Sequence, residues 1–161
     1  MKRFLLIFTL VFILIFFGAV FTFAYDFEVA GVSVAGAALG AYGGQLLSVP
    51  ILILMSNAGI IEGDIFSPFS TAMFDAMDIG SAVGTVAGGI AAKYGFLALA
   101  RGTWDLQDFL IDILSSSLIV TVSHIAFNML GDYVDIPVFL ENIVIVPVLT
   151  GTYLGIFIPA G

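Results

Sequence analysis

The chain has 161 residues, of which 61% are apolar and only 10% charged, against about 25% charged in a soluble domain; with a mean hydropathy of +1.19 it reads as an integral membrane protein. Four Lys and Arg against 12 Asp and Glu give a formal charge of −8, which opposes binding to nucleic-acid phosphates or anionic lipid headgroups. Cysteine is absent and histidine occurs once, so thiolate-held clusters, c-type haem, structural zinc and thiol nucleophiles are excluded, and neither a cofactor nor a metal is expected.

Lys2 and Arg3 precede an uncharged apolar stretch over residues 4–24. A signal peptide and a retained helix both fit such a stretch. It is longer than a usual signal core and its cleavage site, Thr22-Phe23-Ala24, is weak, so a retained first helix is expected, with the N-terminus cytoplasmic. Residues 29–61 carry no charge. As one helix they would reach about 50 Å, whereas the hydrocarbon core is about 30 Å thick. Gly43, Gly44 and Pro50 lie inside this run and weaken helix interiors, so a broken or re-entrant second segment is expected. A single tilted helix is the alternative.

Further membrane segments are expected at 71–92, closed by Lys93, at 109–130, and at 138–158, with Pro147 inside the last. The expected architecture is thus an all-α polytopic helix bundle of about five membrane segments in one domain, residues 1–161. If the second segment turns back on itself or crosses twice, Lys2, Arg3, Lys93 and Arg101 all fall on the cytoplasmic side, as positive charge prefers.

Two rows of small residues carry the packing signal. Gly36, Gly40 and Gly44 form one and Gly80, Gly84 and Gly88 the other, each at a spacing of four that lines one helix face. Helices in lipid associate by letting their backbones approach across such residues.

The polar residues within the segments are the candidates for ion handling. Ser117, Thr121, His124 and Asn128 follow steps of four, three and four, which puts them on one stripe that should face other helices or water. That stripe is either an interhelical hydrogen-bond network or a proton relay centred on His124, whose ring titrates near neutrality. Asp75 and Asp78 share a face at the start of the third segment, where they either complement the helix dipole or guide cations. Glu141 and Asp112 are expected at the interface, and Asp105, Asp108 and Asp112 form an acidic rim. Ser123-His124 lacks the glycine elbow of a hydrolase, so no enzyme activity is expected.

The run from Phe69 to Gly80, reading Phe-Ser-Thr-Ala-Met-Phe-Asp-Ala-Met-Asp-Ile-Gly, resembles the start of a membrane helix in small subunits of Mrp-type cation/proton antiporters and energy-converting hydrogenases. In that family a Thr-Ala-apolar segment leads to an Asp and later to Asp-Thr-Leu-Gly-Glu. Thr71, Ala72 and Asp75 match the first part, and Asp78 with Gly80 the second acid and its glycine; the family's intervening arginine and closing glutamate have no counterpart. The resemblance implies a subunit of a proton- or sodium-translocating complex.

Three functions therefore stand open. The first is an accessory or ion-path subunit of such a complex, partnered by the lipid bilayer and other membrane subunits. The second is a self-contained homo-oligomeric transporter or channel, with copies of itself as partners and the broken segment as its re-entrant element. The third is a purely structural or assembly subunit.

Overall fold

The computed structural model describes residues 26–60, 71–102, 104–131 and 137–156. Four helices occupy them: α1 is Phe27–Asn57, α2 is Thr71–Phe96, and α3 is Leu106–Gly131. A wider π-helical turn, Leu97–Arg101, extends α2. The last helix, α4, has three stretches: Val138–Leu140, a π-helical turn Glu141–Ile145, and Val146–Leu154.

Three of these helices are long and apolar enough to cross a membrane, over Phe27–Asn57, Ala72–Arg101 and Leu106–Leu130. The chain is a small polytopic membrane protein. The expectation of five segments is corrected to four described helices, three of them candidate spans. The last falls short because its apolar helical stretch, Glu141–Leu154, is too short to cross a membrane. The expected first segment, 4–24, lies outside the described residues.

The start of α1 follows from one residue. Asp26 accepts hydrogen bonds from the backbone N–H groups of Glu28 (3.0 Å) and Val29 (3.1 Å), satisfying donors that a helix start leaves free. Asp105 does the same for α3, accepting from Gln107 at 2.6 Å and Asp108 at 3.3 Å.

The expected break in the second segment is not there: α1 runs unbroken for 31 residues, about 46 Å at a rise of about 1.5 Å per residue. Gly44 acts as a contact and not as a hinge, since it faces Gly80 on α2. Pro50 withdraws one backbone donor, and the Ser48 hydroxyl donates to the nearby Gln45 carbonyl at 2.7 Å. A helix longer than the hydrocarbon is accommodated by tilt or by projecting into the interface, at modest cost.

The two glycine rows meet each other. Gly36 lies against Gly88, Gly40 against Gly84 and Gly44 against Gly80, with numbers rising on α1 as they fall on α2. The helices are therefore antiparallel, and a Cβ added to any of the six would collide with the partner backbone. On its other flank α1 receives α4 in the same way, Gly151 against Val34 and Gly155 against Ala30. Ser81 of α2 reaches Asn142 of α4, and Gly89 reaches Leu154, so those two run parallel. The result is an up-down-up-down bundle. Val29, Ile90, Tyr94, Leu97 and Leu154 form its apolar cluster, whereas Leu39, Leu46, Leu47, Ile79, Val83, Leu114 and Leu118 point outward.

Four of the buried hydroxyls share one pattern. Ser33, Thr85, Ser116 and Thr150 each donate to the carbonyl four residues earlier, at 2.5–2.9 Å, so they are satisfied within their own helices. Substituting Gly84→Ala is expected to destabilise the protein by about 1–3 kcal/mol through overpacking. Gly43→Ala, where nothing lies within 4 Å of the new Cβ, should be neutral or slightly stabilising. Reversible unfolding in mixed micelles measures both.

Candidate functional site

Charged and amide side chains enter the bundle at two levels. The first joins α2 to α3. Lys93 and Asp112 are each 1% exposed, and Lys93 Nζ lies 2.6 Å from Asp112 Oδ2. The Tyr94 hydroxyl donates to the same oxygen at 2.7 Å. Asp112 Oδ1, on the other side of the carboxylate, has no hydrogen-bond partner. Edge-to-face contacts of Tyr94 with Phe109 (5.0 Å) and Trp104 (6.4 Å) hold the phenol in place.

Neither partner belongs in hydrocarbon alone. Moving a lone carboxylate or ammonium out of water costs far more than a hydrogen bond returns, so each requires the other. The expectation that Lys93 closes its segment is corrected here: the helix runs on to Arg101, and Lys93 is buried against Asp112. The uncharged run from Tyr94 to Ala100 was the signal available in the sequence, because it lets the helix continue past Lys93 to Arg101.

The second level joins α2, α3 and α4. His124 Nδ1 lies 3.1 Å from Glu141 Oε1. The Asn142 amide donates to Asp78 Oδ1 at 2.7 Å, and the Ser81 hydroxyl donates to the Asn142 backbone carbonyl at 3.2 Å. Two buried atoms here have no partner, His124 Nε2 and Asn142 Oδ1.

The backbone explains why Glu141 and Asn142 are both available. The Val146 N–H bonds to the Glu141 carbonyl, five residues back. In that register the Asn142 carbonyl would be served by residue 147, which is proline and has no N–H. The Ser81 hydroxyl fills the gap.

Of the residues singled out in the sequence, the structure brings His124, Asp78 and Glu141 into this cluster and leaves Asp75, Ser117, Thr121 and Asn128 outside it. Asp75 is exposed at the start of α2, and Ser117, Thr121 and Asn128 lie on the exposed side of α3. The Thr121 hydroxyl donates to the Ser117 carbonyl at 2.8 Å. Of this stripe, expected to face other helices or water, His124 alone among the described residues reaches another helix, and the buried side of α3 carries Asp112, Ser116, Val120 and Ser123. The six glycines are at a helix contact, as their spacing implied. Among the described residues no three His, Asp or Glu side chains converge as a metal site.

At the end of the bundle beyond Lys93, Arg101 pairs with Asp26 and approaches Glu28 at 3.7 Å. The Asp26 N–H also donates to the Gly155 carbonyl at 3.1 Å, so three helix ends meet there. Burial pushes the Asp26 carboxyl up, but hydrogen bonds from the Val29 N–H and the Arg101 guanidinium, with the Arg101 charge, outweigh it and hold its pKa below the ordinary range.

No known protein family, curated protein or solved structure matches the chain.

Because Asp26 releases its proton more readily folded than unfolded, its contribution to stability is complete above the ordinary aspartate value of about 3.9. It is lost as pH falls through the lower folded value. Asp26→Asn should flatten that part of the stability–pH curve, measured by unfolding in micelles between about pH 2 and 6. In the buried pair, Lys93→Met leaves Asp112 unpaired and should cost about 3–5 kcal/mol. The double variant Lys93→Met, Asp112→Asn should recover much of that loss in the same assay.

Proposed function

We propose that the chain is an accessory or ion-path subunit of a multi-subunit complex that translocates protons or sodium ions, lodged in the cell membrane with its N-terminus cytoplasmic. The observation that carries this reading is the cluster of Asp78, His124, Glu141 and Asn142, drawn from three helices into the interior of an apolar bundle. Ionisable side chains at membrane depth are expensive, and they usually persist where ions or protons are handled. The likeness of residues 69–80 to small subunits of cation/proton antiporters and energy-converting hydrogenases supports the same reading and implies partner subunits.

His124 supplies an imidazole within hydrogen-bond distance of a carboxylate, a pair of groups able to exchange a proton. Asp78 supplies a second carboxylate, positioned by Asn142. Asp75, exposed at the same end of α2, suits an entrance for cations. The buried Lys93–Asp112 pair lies about 22 Å along α2 from Asp78, on a rise of about 1.5 Å per residue. It gives the opposite half of the bundle its own charge pair.

A structural role has one specific observation in its favour: the interior between the two levels is a glycine seam lined by hydroxyls that bond within their own helices. The homo-oligomeric transporter reading rested on a break in the second segment, and Phe27–Asn57 is one continuous helix.

Replacing His124→Ala or Asp78→Asn in the assembled complex should lower ion flux about tenfold or more, equivalent to about 1.4 kcal/mol on the barrier, while assembly is retained. Flux in reconstituted vesicles and subunit content by mass spectrometry check the two separately. Unchanged flux with normal assembly leaves the structural role.

A further inference from the structure

We propose that the chain pairs with a second copy of itself in the membrane through the face of α1 turned away from α2, with Tyr42 and Gln45 at the centre of the contact. The proposal goes beyond the ion-path reading and does not depend on it.

The face is the stripe Gly31, Ala35, Ala38, Tyr42, Gln45 and Val49. Its steps of four, three, four, three and four average about 3.5 residues, the spacing of a continuous seam between two helices. At about 100° per residue it lies on the opposite side of α1 from Gly36, Gly40 and Gly44, and every member is exposed or half-buried. Nothing lies within 4 Å of a Cβ added at Gly31, so none of the described helices covers the start of the stripe.

Apolar side chains on that face need no partner, because lipid suits them. Two members are polar. Tyr42 is 52% exposed and Gln45 half-buried, and neither side chain has a hydrogen-bond partner among the described residues; Ser48 uses only the Gln45 backbone carbonyl. Tyr42 is the middle residue of Phe27–Asn57, and Gln45 follows it by about 4.5 Å. Measured instead from the middle of Ala72–Arg101, which the glycine pairing sets opposite Ala37 and Ala38, both lie within about 12 Å of the centre, inside a hydrocarbon half-thickness of about 15 Å. A phenol and a primary amide at that depth have no water to bond, and leaving them unpaired is costly. A neighbouring helix must supply the partners.

Three features select a second copy as that neighbour. The phenol and the amide each carry a donor and an acceptor, so the face is complementary to itself. Copies inserted in one membrane share an orientation, so a two-fold axis along the membrane normal sets α1 beside α1 in parallel and brings Tyr42 and Gln45 of both to one depth. Gly31, Ala35 and Ala38 are small enough for the backbones to approach over that half of the seam, and no charge on the stripe repels its copy. The apolar stretch 4–24 is a poorer occupant. Its only hydrogen-bonding side chains are Thr9 and Thr22, whose hydroxyls readily bond their own helix backbone.

The test uses the full chain in vesicles of neutral lipid. Single-molecule photobleaching counts the copies per vesicle over a range of protein-to-lipid ratios and yields a dissociation constant. A reversible monomer–dimer equilibrium is expected. Tyr42→Phe removes one hydroxyl and Gln45→Leu the amide at similar volume, and each should weaken pairing at least about tenfold, or about 1.4 kcal/mol. Because both side chains stand outside the bundle, the melting temperature of the detergent-solubilised monomer should not fall, which separates lost pairing from lost folding. The chain has no cysteine, so a single Ala38→Cys should report the contact by oxidation to a disulfide-linked dimer, whereas Leu114→Cys, exposed on α3, should not link. A wild-type chain that stays monomeric at every ratio overturns the proposal, with no need for any variant to fold. So does a dimer whose affinity survives Tyr42→Phe and Gln45→Leu together, or one that links through Leu114→Cys and not through Ala38→Cys. An Ala38→Cys thiol that links instead to a cysteine placed within residues 4–24, or to a different membrane protein, overturns it in favour of that occupant.

Discussion

Backbone contact between α1 and α2 is the constraint on which the rest of the bundle depends. In hydrocarbon there is no hydrophobic gain from bringing two helices together, so the gain must come from close packing and from weak interactions between backbones. Gly36, Gly40 and Gly44 meet Gly88, Gly84 and Gly80 with no room for a methyl group on either side. Antiparallel direction and register follow together, because a slip of one residue would place side chains where only hydrogen fits. Once α2 is seated, Ser81 and Gly89 face α4, Lys93 faces α3, and Gly151 and Gly155 let α4 close on the remaining flank of α1.

The seam also explains where polar groups are tolerated. Between the two charged levels the interior combines the glycine seam with buried Ile90, Val120 and Val146 and with hydroxyls such as Thr85 and Ser116, whose donors are used on the preceding turn. Among the described residues, the hydroxyls of this layer bond within their own helices. Charge is kept to the places where a second helix supplies its counterpart: Asp112 for Lys93, Glu141 for His124, Asn142 for Asp78. Each pair ties two helices while limiting the cost of removing charge from water, which is large for any member left alone.

How much of this was legible in the sequence depends on the range of the interaction. Membrane character, the all-α class and the six glycine contacts were readable, because composition and a period of four are local properties. That the two glycine rows face each other was not, since only tertiary pairing shows it. The break expected at Gly43, Gly44 and Pro50 came from weighing helix propensity without the contact that uses Gly44, and lipid tolerates the extra length. Ser116 and Ser117 both fit a helical spacing, and the partners of Asp112, which are Lys93 nineteen residues before it and Tyr94 eighteen before it, decide which side of α3 turns inward. His124 and Asp78 were found because ionisable groups in apolar runs are rare. Asn142 was missed because a neutral amide beside a glutamate at a helix start carries no such warning.

The importance of Asn142 becomes visible only through Pro147. Proline removes the donor that a widened turn would have directed at the Asn142 carbonyl, and α2 must answer with Ser81. This fixes α4 against α2 at the level where the Asn142 side chain reaches Asp78. One missing N–H thus sets a helix contact, and the helix contact sets the geometry of the cluster. π turns occur often at functional sites, and here the local reason is explicit: an ordinary α-helical turn would point residues 141 and 142 about 100° apart and follow the regular bonding pattern. The wider turn presents Glu141 to His124 while Asn142 holds Asp78, so both ionisable pairs share one level of the bundle.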